Sequence, residues 1–254
     1  MGQAEFLDTK DGRRIAYVYT PPKLGTHGRL EPTVVFLSGL KSDMEGTKAV
    51  ALEGWATCRG LGFLRFDYSG HGQSSGRFED GCIGDWHADT LAAVDALTEG
   101  PLVVVGSSMG GWQALLLARA RAERIRGMVG IAAAPDFTED GYWAGFDAGQ
   151  RDELAREGFL RIPSDYEEDY IITQRLIEDG RAQMVLRSPL DLPFPVRLLQ
   201  GTADTAVPVS QAVKLLEHAT SPDMRLLLVK DADHSFSTPE CLGLIEAAIM
   251  EVLA

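Results

Sequence analysis

Between Leu102 and Arg119 the chain runs from an unbroken apolar stretch, Leu102-Val103-Val104-Val105, through Gly106-Ser107-Ser108-Met109-Gly110 into the helical pattern Trp112-Gln113-Ala114-Leu115-Leu116-Leu117-Ala118-Arg119. An apolar run of this kind reads as a buried strand. A G-x-S-x-G pentapeptide between a strand and a helix is a nucleophile elbow. The turn is so sharp that the central serine takes a strained backbone, and flanking side chains would collide with neighbouring backbone. Ser108 is thereby projected from the top of a sheet, at a helix N-terminus whose free N–H groups favour developing negative charge. Without the strand and helix around it, the same pentapeptide would be a glycine-rich turn with a serine cap.

The rest of the chain alternates strand-like and helix-like segments, which predicts an α/β fold with a mostly parallel central sheet and helices on both faces. An antiparallel hairpin is expected at the start, where Phe6-Leu7 and Ile15-Ala16-Tyr17-Val18-Tyr19 flank the Asp11-Gly12 turn signal. Buried strands are expected at Thr33–Leu37, Gly62–Phe66, Arg126–Ile131, Val196–Gln200 and Arg225–Val229, separated by helices. From about Asp136 to Ser188 the pattern changes to aromatics interleaved with acids, namely Phe137, Tyr142, Trp143, Phe146, Phe159, Tyr166 and Tyr170 beside Glu167-Glu168-Asp169. Short helices inserted over one end of the sheet account for it. The expected division is a core of residues 1–135 and 189–254 with a helical cap, or lid, of residues 136–188. The cap aromatics either line a pocket or pack the insertion.

A formal charge of −13 on 254 residues argues against nucleic acid and anionic membrane as partners, because both need a basic footprint. No apolar run reaches membrane-spanning length, so stable membrane insertion is not expected. Cys58, Cys82 and Cys241 are widely spaced and odd in number, which suits a reducing compartment. Residues 1–6 lack the charged-then-apolar layout of a signal peptide. The expected location is cytoplasmic. Gly70-His71-Gly72 lacks the strand–helix frame of a dinucleotide site, and neither H-E-x-x-H, C-x-x-C nor a Walker motif occurs. Neither a metal nor an organic cofactor is expected.

If Ser108 attacks, a base must take its proton, since a free hydroxyl is far too weak an acid at neutrality. Of the five histidines, His27 and His71 lie in early turns, and His87 and His218 fall inside helical segments. Only His234 sits in a loop directly after a late strand, where it reaches the strand ends from which the elbow emerges. An imidazole needs a carboxylate to hold its tautomer, and Asp204 follows the strand Val196–Gln200. Asp136 is the competing acid. The order Ser108, Asp204, His234 is the one found in α/β-hydrolases. Two backbone N–H groups are expected to receive an oxyanion: Met109, directly after the serine, and Leu40, in the Ser38–Asp43 loop after the third strand. Trp112 and Phe236 are candidates for the border of a substrate pocket, with core packing the favoured role for Trp112.

These elements resemble the α/β-hydrolase superfamily across nearly the whole chain. The runs Ser38-Gly39-Leu40-Lys41-Ser42-Asp43-Met44-Glu45-Gly46-Thr47-Lys48-Ala49, Arg65-Phe66-Asp67-Tyr68-Ser69-Gly70 and Gly106–Trp112 are similar to a narrower group. That group is the mitochondrial palmitoyl-protein thioesterases, also described as acyl-glucuronide esterases, with their bacterial relatives. The resemblance implies hydrolysis of a small-molecule ester or acyl thioester, or of an S-acylated protein, through an acyl-enzyme on Ser108. Relatives often carry Asp-His-Arg near the histidine, whereas Ser235 and Phe236 follow His234 here, so recognition of an anionic acyl-glucuronide does not carry over. A hydrolase-shaped ligand-binding protein, a peptidase or a perhydrolase would show the same constellation. Substrate chain length and oligomeric state are left open.

Overall fold

The computed structural model describes residues 2–25, 28–163 and 169–254. His27, and Tyr166, Glu167 and Glu168 of the expected cap, lie outside the described residues. The chain opens with the antiparallel pair β1 (Glu5–Asp8) and β2 (Arg14–Thr20). There follow β3 (Thr33–Leu37), α1 (Thr47–Cys58), β4 (Gly62–Phe66), α2 (Ile83–Leu97), β5 (Leu102–Ser107), α3 (Met109–Arg121) and β6 (Ile125–Ile131). The next segment carries a π-helical turn (Thr138–Trp143), α4 (Ala148–Glu157), β7 (Phe159–Ile162), β8 (Tyr170–Thr173), α5 (Gln174–Ala182) and the short β9 (Leu190–Asp191). Last come β10 (Val196–Gly201), α6 (Val209–His218), β11 (Ala219–Thr220), β12 (Met224–Val229) and α7 (Pro239–Leu253).

Eight strands form the main sheet in the order β1-β2-β4-β3-β5-β6-β10-β12. Only the pairs β1–β2 and β2–β4 are antiparallel; the other pairs are parallel. Every residue of β3, β4 and β5 is buried, which is why these strands read as continuous apolar runs rather than alternating ones. Successive side chains still leave on opposite faces. Val103 and Val105 pack against Leu52 and Trp55 of α1 and Ile245 and Ile249 of α7. Leu102 and Val104 join the opposite core, with Trp86 of α2, Leu115 of α3 and Leu215 of α6. The parallel strands deliver the loops after β3, β5, β10 and β12 to a single edge of the sheet, the carboxyl ends where open α/β sheets hold their ligands.

The inserted segment differs from the all-helical expectation. β7 and β8 form an antiparallel ribbon with Leu160 opposite Ile172, both buried, while Phe159 and Arg161 point outward. Alternation over four residues, cut by charged neighbours, is too short to stand out from a helical pattern. Leu160, Ile172, Leu176 and Ile177 belong to the same apolar cluster as the sheet face beneath them. The insertion therefore shares the main core.

Candidate active site

The elbow is built by close approach. A β-carbon on Gly106 would stand 2.2 Å from the Gly110 carbonyl oxygen, and one on Gly110 would stand 2.0 Å from that of Leu37. Ser108 takes φ 56° and ψ −120°, a region that costs a non-glycine residue on the order of 1–3 kcal/mol. Its N–H donates to Ile131 O at 2.9 Å, and its carbonyl accepts from Gly111 and Ala134 N–H at 2.9 and 3.1 Å. Those bonds hold the strained conformation from both sides.

The loop after β12 brings His234 to it. Ser108 Oγ lies 3.2 Å from His234 Nε2, and His234 Nδ1 lies 2.9 Å from Asp204 Oδ2. The arrangement fits an imidazole that donates from Nδ1 to the carboxylate and accepts the serine proton at Nε2. Asp204 is held in turn: its Oδ1 accepts from Ala206 and Val207 N–H, and its Oδ2 accepts from Gln200 Nε2 at 2.9 Å. Burial alone would raise this carboxyl, but the bonds from His234, Val207 and Gln200 outweigh it and keep the group below its ordinary range. The side chain of Asp204 is wholly inaccessible, while His234 keeps 28% of its side-chain surface. The ring is thus reachable and its acid is shielded.

Two left-handed residues shape the histidine loop, Asp231 at φ 61° and Phe236 at φ 48°. Asp233 caps it by accepting from Phe236 N–H at 3.1 Å and from Ser235 Oγ at 2.8 Å. Ala203 N–H donates to Ala232 O at 3.0 Å, joining the Asp204 and His234 loops directly.

Met109 opens α3, so its N–H has no acceptor one turn back. Gly39 brings the loop after β3 against the elbow; a β-carbon there would lie 3.3 Å from Ser108 Cβ. Neither the Leu40 nor the Met109 N–H has a hydrogen-bond acceptor among the described residues. The loop is clamped from below by the end of β4. Asp67 accepts from Met44 N–H at 2.6 Å, and the fully buried Arg65 donates to Met44 O at 2.9 Å and to Glu53 at 3.0 Å.

Trp112 and Phe236 do not border a pocket. Both are fully buried, on opposite faces of the sheet. Trp112 donates from Nε1 to Gln183 O at 3.1 Å, and Phe236 pins the histidine loop into the α1–α7 core. Each is an apolar anchor in the core beside the site. Asp136, the competing acid, is committed elsewhere: it accepts from Val185 and Leu186 N–H and from Arg187, tying the two ends of the insertion together. Burial lowers His71 and His87 to about 4 each, and neither contacts the serine. Two surface clefts, of about 290 and 430 Å³, are lined by none of Ser108, Asp204 or His234. The site is thus located by its chemistry and not by cavity size.

Gln200 belongs to no motif, although an amide closing the apolar run Val196-Arg197-Leu198-Leu199 is the sort of exception that marks a buried polar contact. Arg65 carries the same signal within Gly62–Phe66.

The alpha/beta hydrolase family profile matches residues 34–240. The bovine protein named "Palmitoyl-protein thioesterase ABHD10, mitochondrial" is 34% identical over 253 residues, covering 98% of this chain and 79% of that protein. Among solved structures, a protein from Agrobacterium vitis S4 superposes with a TM-score of 0.92 at 38% identity, covering 99% of both chains. Alpha/beta hydrolase domain-containing protein 10 from mouse superposes with a TM-score of 0.89 at 31% identity, covering 99% of this chain and 98% of that one. On profile, sequence and fold together, the chain belongs to the alpha/beta hydrolase family.

Proposed function

We propose that this hydrolase cleaves carboxylic ester or acyl-thioester bonds through an acyl-enzyme on Ser108. The observation that carries the proposal is the continuous chain of contacts from Ser108 Oγ to His234 at 3.2 Å and from His234 to Asp204 at 2.9 Å. In the first half-reaction Ser108 Oγ bonds to the carbonyl carbon while its proton passes to His234 Nε2. The carbonyl π pair moves onto oxygen, where the Leu40 and Met109 N–H groups receive it. Collapse of the tetrahedral adduct breaks the bond to the leaving oxygen or sulfur, which departs with the proton from His234. Water then attacks the acyl group, giving its proton to His234, and Ser108 regains a proton as the acid is released. Asp204 holds the Nδ1 tautomer and balances the imidazolium.

A thioester substrate is favoured by the name of the bovine relative, a palmitoyl-protein thioesterase. Residues 136–188 are proposed as the cap over the acyl group. Supporting this is the aromatic pair Phe137 and Tyr142, half-buried in the insertion with ring centres 5.6 Å apart. A cytoplasmic setting is part of the same reading: all three cysteines are free. No helix among the described residues is long and apolar enough to cross a membrane.

The test is labelling with a fluorophosphonate followed by turnover of a panel of p-nitrophenyl esters and acyl thioesters. The expected result is one label per chain, on the peptide holding Ser108, with sustained turnover of thioesters. Labelling elsewhere, or a single turnover with no steady state, would overturn the proposal, the latter in favour of a ligand-binding role.

A further inference from the structure

The His234 loop carries a residue's worth of backbone that the catalytic contacts do not explain. Directly after the histidine, the Ser235 carbonyl oxygen accepts from Lys48 Nζ, and Ser237 Oγ lies 3.5 Å from the same ammonium. Lys48 comes from the first turn of α1, the helix that continues the segment bearing Gly39 and Leu40. Its side chain is half-buried, and desolvation pushes the ammonium below its ordinary range, opposed by the Asp233 carboxylate. A partly desolvated ammonium gains from protein acceptors within reach, and the loop offers the Ser235 carbonyl and the Ser237 hydroxyl.

The neighbouring contacts fix why this matters. Asp233 already organises the loop through Phe236 N–H, so the ammonium faces both the capped carboxylate and the carbonyl that follows His234. The loop is held at one end by Phe236 in the core, and at the other by Ala232 O accepting from Ala203. Between those two anchors, Lys48 is the contact that reaches across from the other wall of the site. On that wall Met44 is pinned by Asp67 and Arg65, so α1 and the loop before it form a rigid reference.

We propose that Lys48 is a positioning residue: it gauges the separation between the Gly39–Leu40 loop and the His234 loop, and so holds the imidazole at bonding distance from Ser108. The inference rests on the hydrolase reading of Ser108 and His234. A displacement of the imidazole by an ångström costs turnover rather than ground-state binding, on the order of 100-fold at the extreme.

The experiment compares the wild-type chain with Lys48→Met and Lys48→Arg on p-nitrophenyl butyrate. Each turnover is divided by the number of sites titrated with a fluorophosphonate. Per titrated site, Lys48→Met is expected to lose about tenfold or more in kcat, with KM within about twofold of wild type. Lys48→Arg, which keeps donors at that place, is expected to recover most of it. If Lys48 only stabilises the fold, Lys48→Met lowers the melting temperature and the number of titratable sites while kcat per site stays unchanged; that outcome overturns the proposal. So does an arginine variant no better than methionine. If Lys48→Met does not fold, Lys48→Leu, likewise without a donor, carries the same comparison. A wild type that neither labels at Ser108 nor turns over would instead sink the hydrolase reading itself, and the role of Lys48 with it.

Discussion

At Ser108 a positive φ of 56° would ordinarily relax, because the β-carbon crowds its own backbone; three backbone hydrogen bonds and two glycine contacts leave it nowhere to go. The conformation is thus independent of the hydroxyl, and Ser108→Ala is expected to fold normally while losing about 10⁶ in ester turnover. Circular dichroism and steady-state assay check the two halves; a loss under about tenfold contradicts the assignment. Asp204→Asn is expected to lower kcat by about 10⁴ through the wrong imidazole tautomer. Its effect on stability has a defined pH window. Because the folded carboxyl lies below its ordinary value of 3.8, the stabilisation it provides is complete above that value and is lost as pH falls through the folded one. Urea melts of wild type and Asp204→Asn should therefore converge only in strong acid. A difference that vanishes already near neutrality would contradict it. His71 works in the same sense, in a higher pH window. Burial keeps it neutral down to about 4, so the unfolded chain takes up a proton first, and stability falls as pH drops from the ordinary value of 6.5 towards 4. Its Nε2 has no partner among the described residues, so His71→Phe should flatten that part of the pH–stability curve. An unchanged slope would assign it to other groups.

At the scale of elements, the site is an assembly of four loops whose positions are set by buried polar contacts rather than by the loops themselves. Arg65 inside β4 illustrates this: its guanidinium is fully buried and joins Met44 O, Glu45 and Glu53. Arg65→Met would strand Glu53, whose side chain is only 10% exposed, and is expected to cost about 3–5 kcal/mol in urea unfolding. A cost below about 1 kcal/mol would mean the clamp is not what fixes the loop. The elbow, the order of elements and the loops bearing Asp204 and His234 were legible in the sequence because their determinants are local: a strand run, two glycines, a turn after a strand. The Leu40 and Met109 positions follow from the same local logic. What was not legible depends on how side chains and short strands are directed once the sheet has packed. Gln200 reaching Asp204 is a short step along the chain, but its direction depends on the sheet. Lys48 reaching Ser235 spans most of the chain. Phe236 looked like a pocket residue because it neighbours His234, whereas its left-handed backbone turns the ring into the core. The β7–β8 ribbon was hidden because two four-residue strands carry too little alternation to be told from short helices.

Over the whole molecule, the inserted segment and the sheet share one apolar cluster, which includes Leu160, Ile172 and Leu176 from the insertion with Leu115 and Leu117 from α3. Asp136 and Arg187 close the base of the insertion, and Asp140 adds Arg187 and Lys214. Calorimetry is therefore expected to give one unfolding transition; two resolved transitions would show the insertion to be a separate unit. All of these scales converge on the covalent step. The most direct measurement is intact-mass and peptide mass spectrometry of protein quenched within milliseconds of mixing with an acyl thioester. The expected result is a mass increase equal to the acyl group, on the peptide containing Ser108, absent from Ser108→Ala. Thioester hydrolysis that proceeds with no such adduct and survives Ser108→Ala unchanged would contradict it.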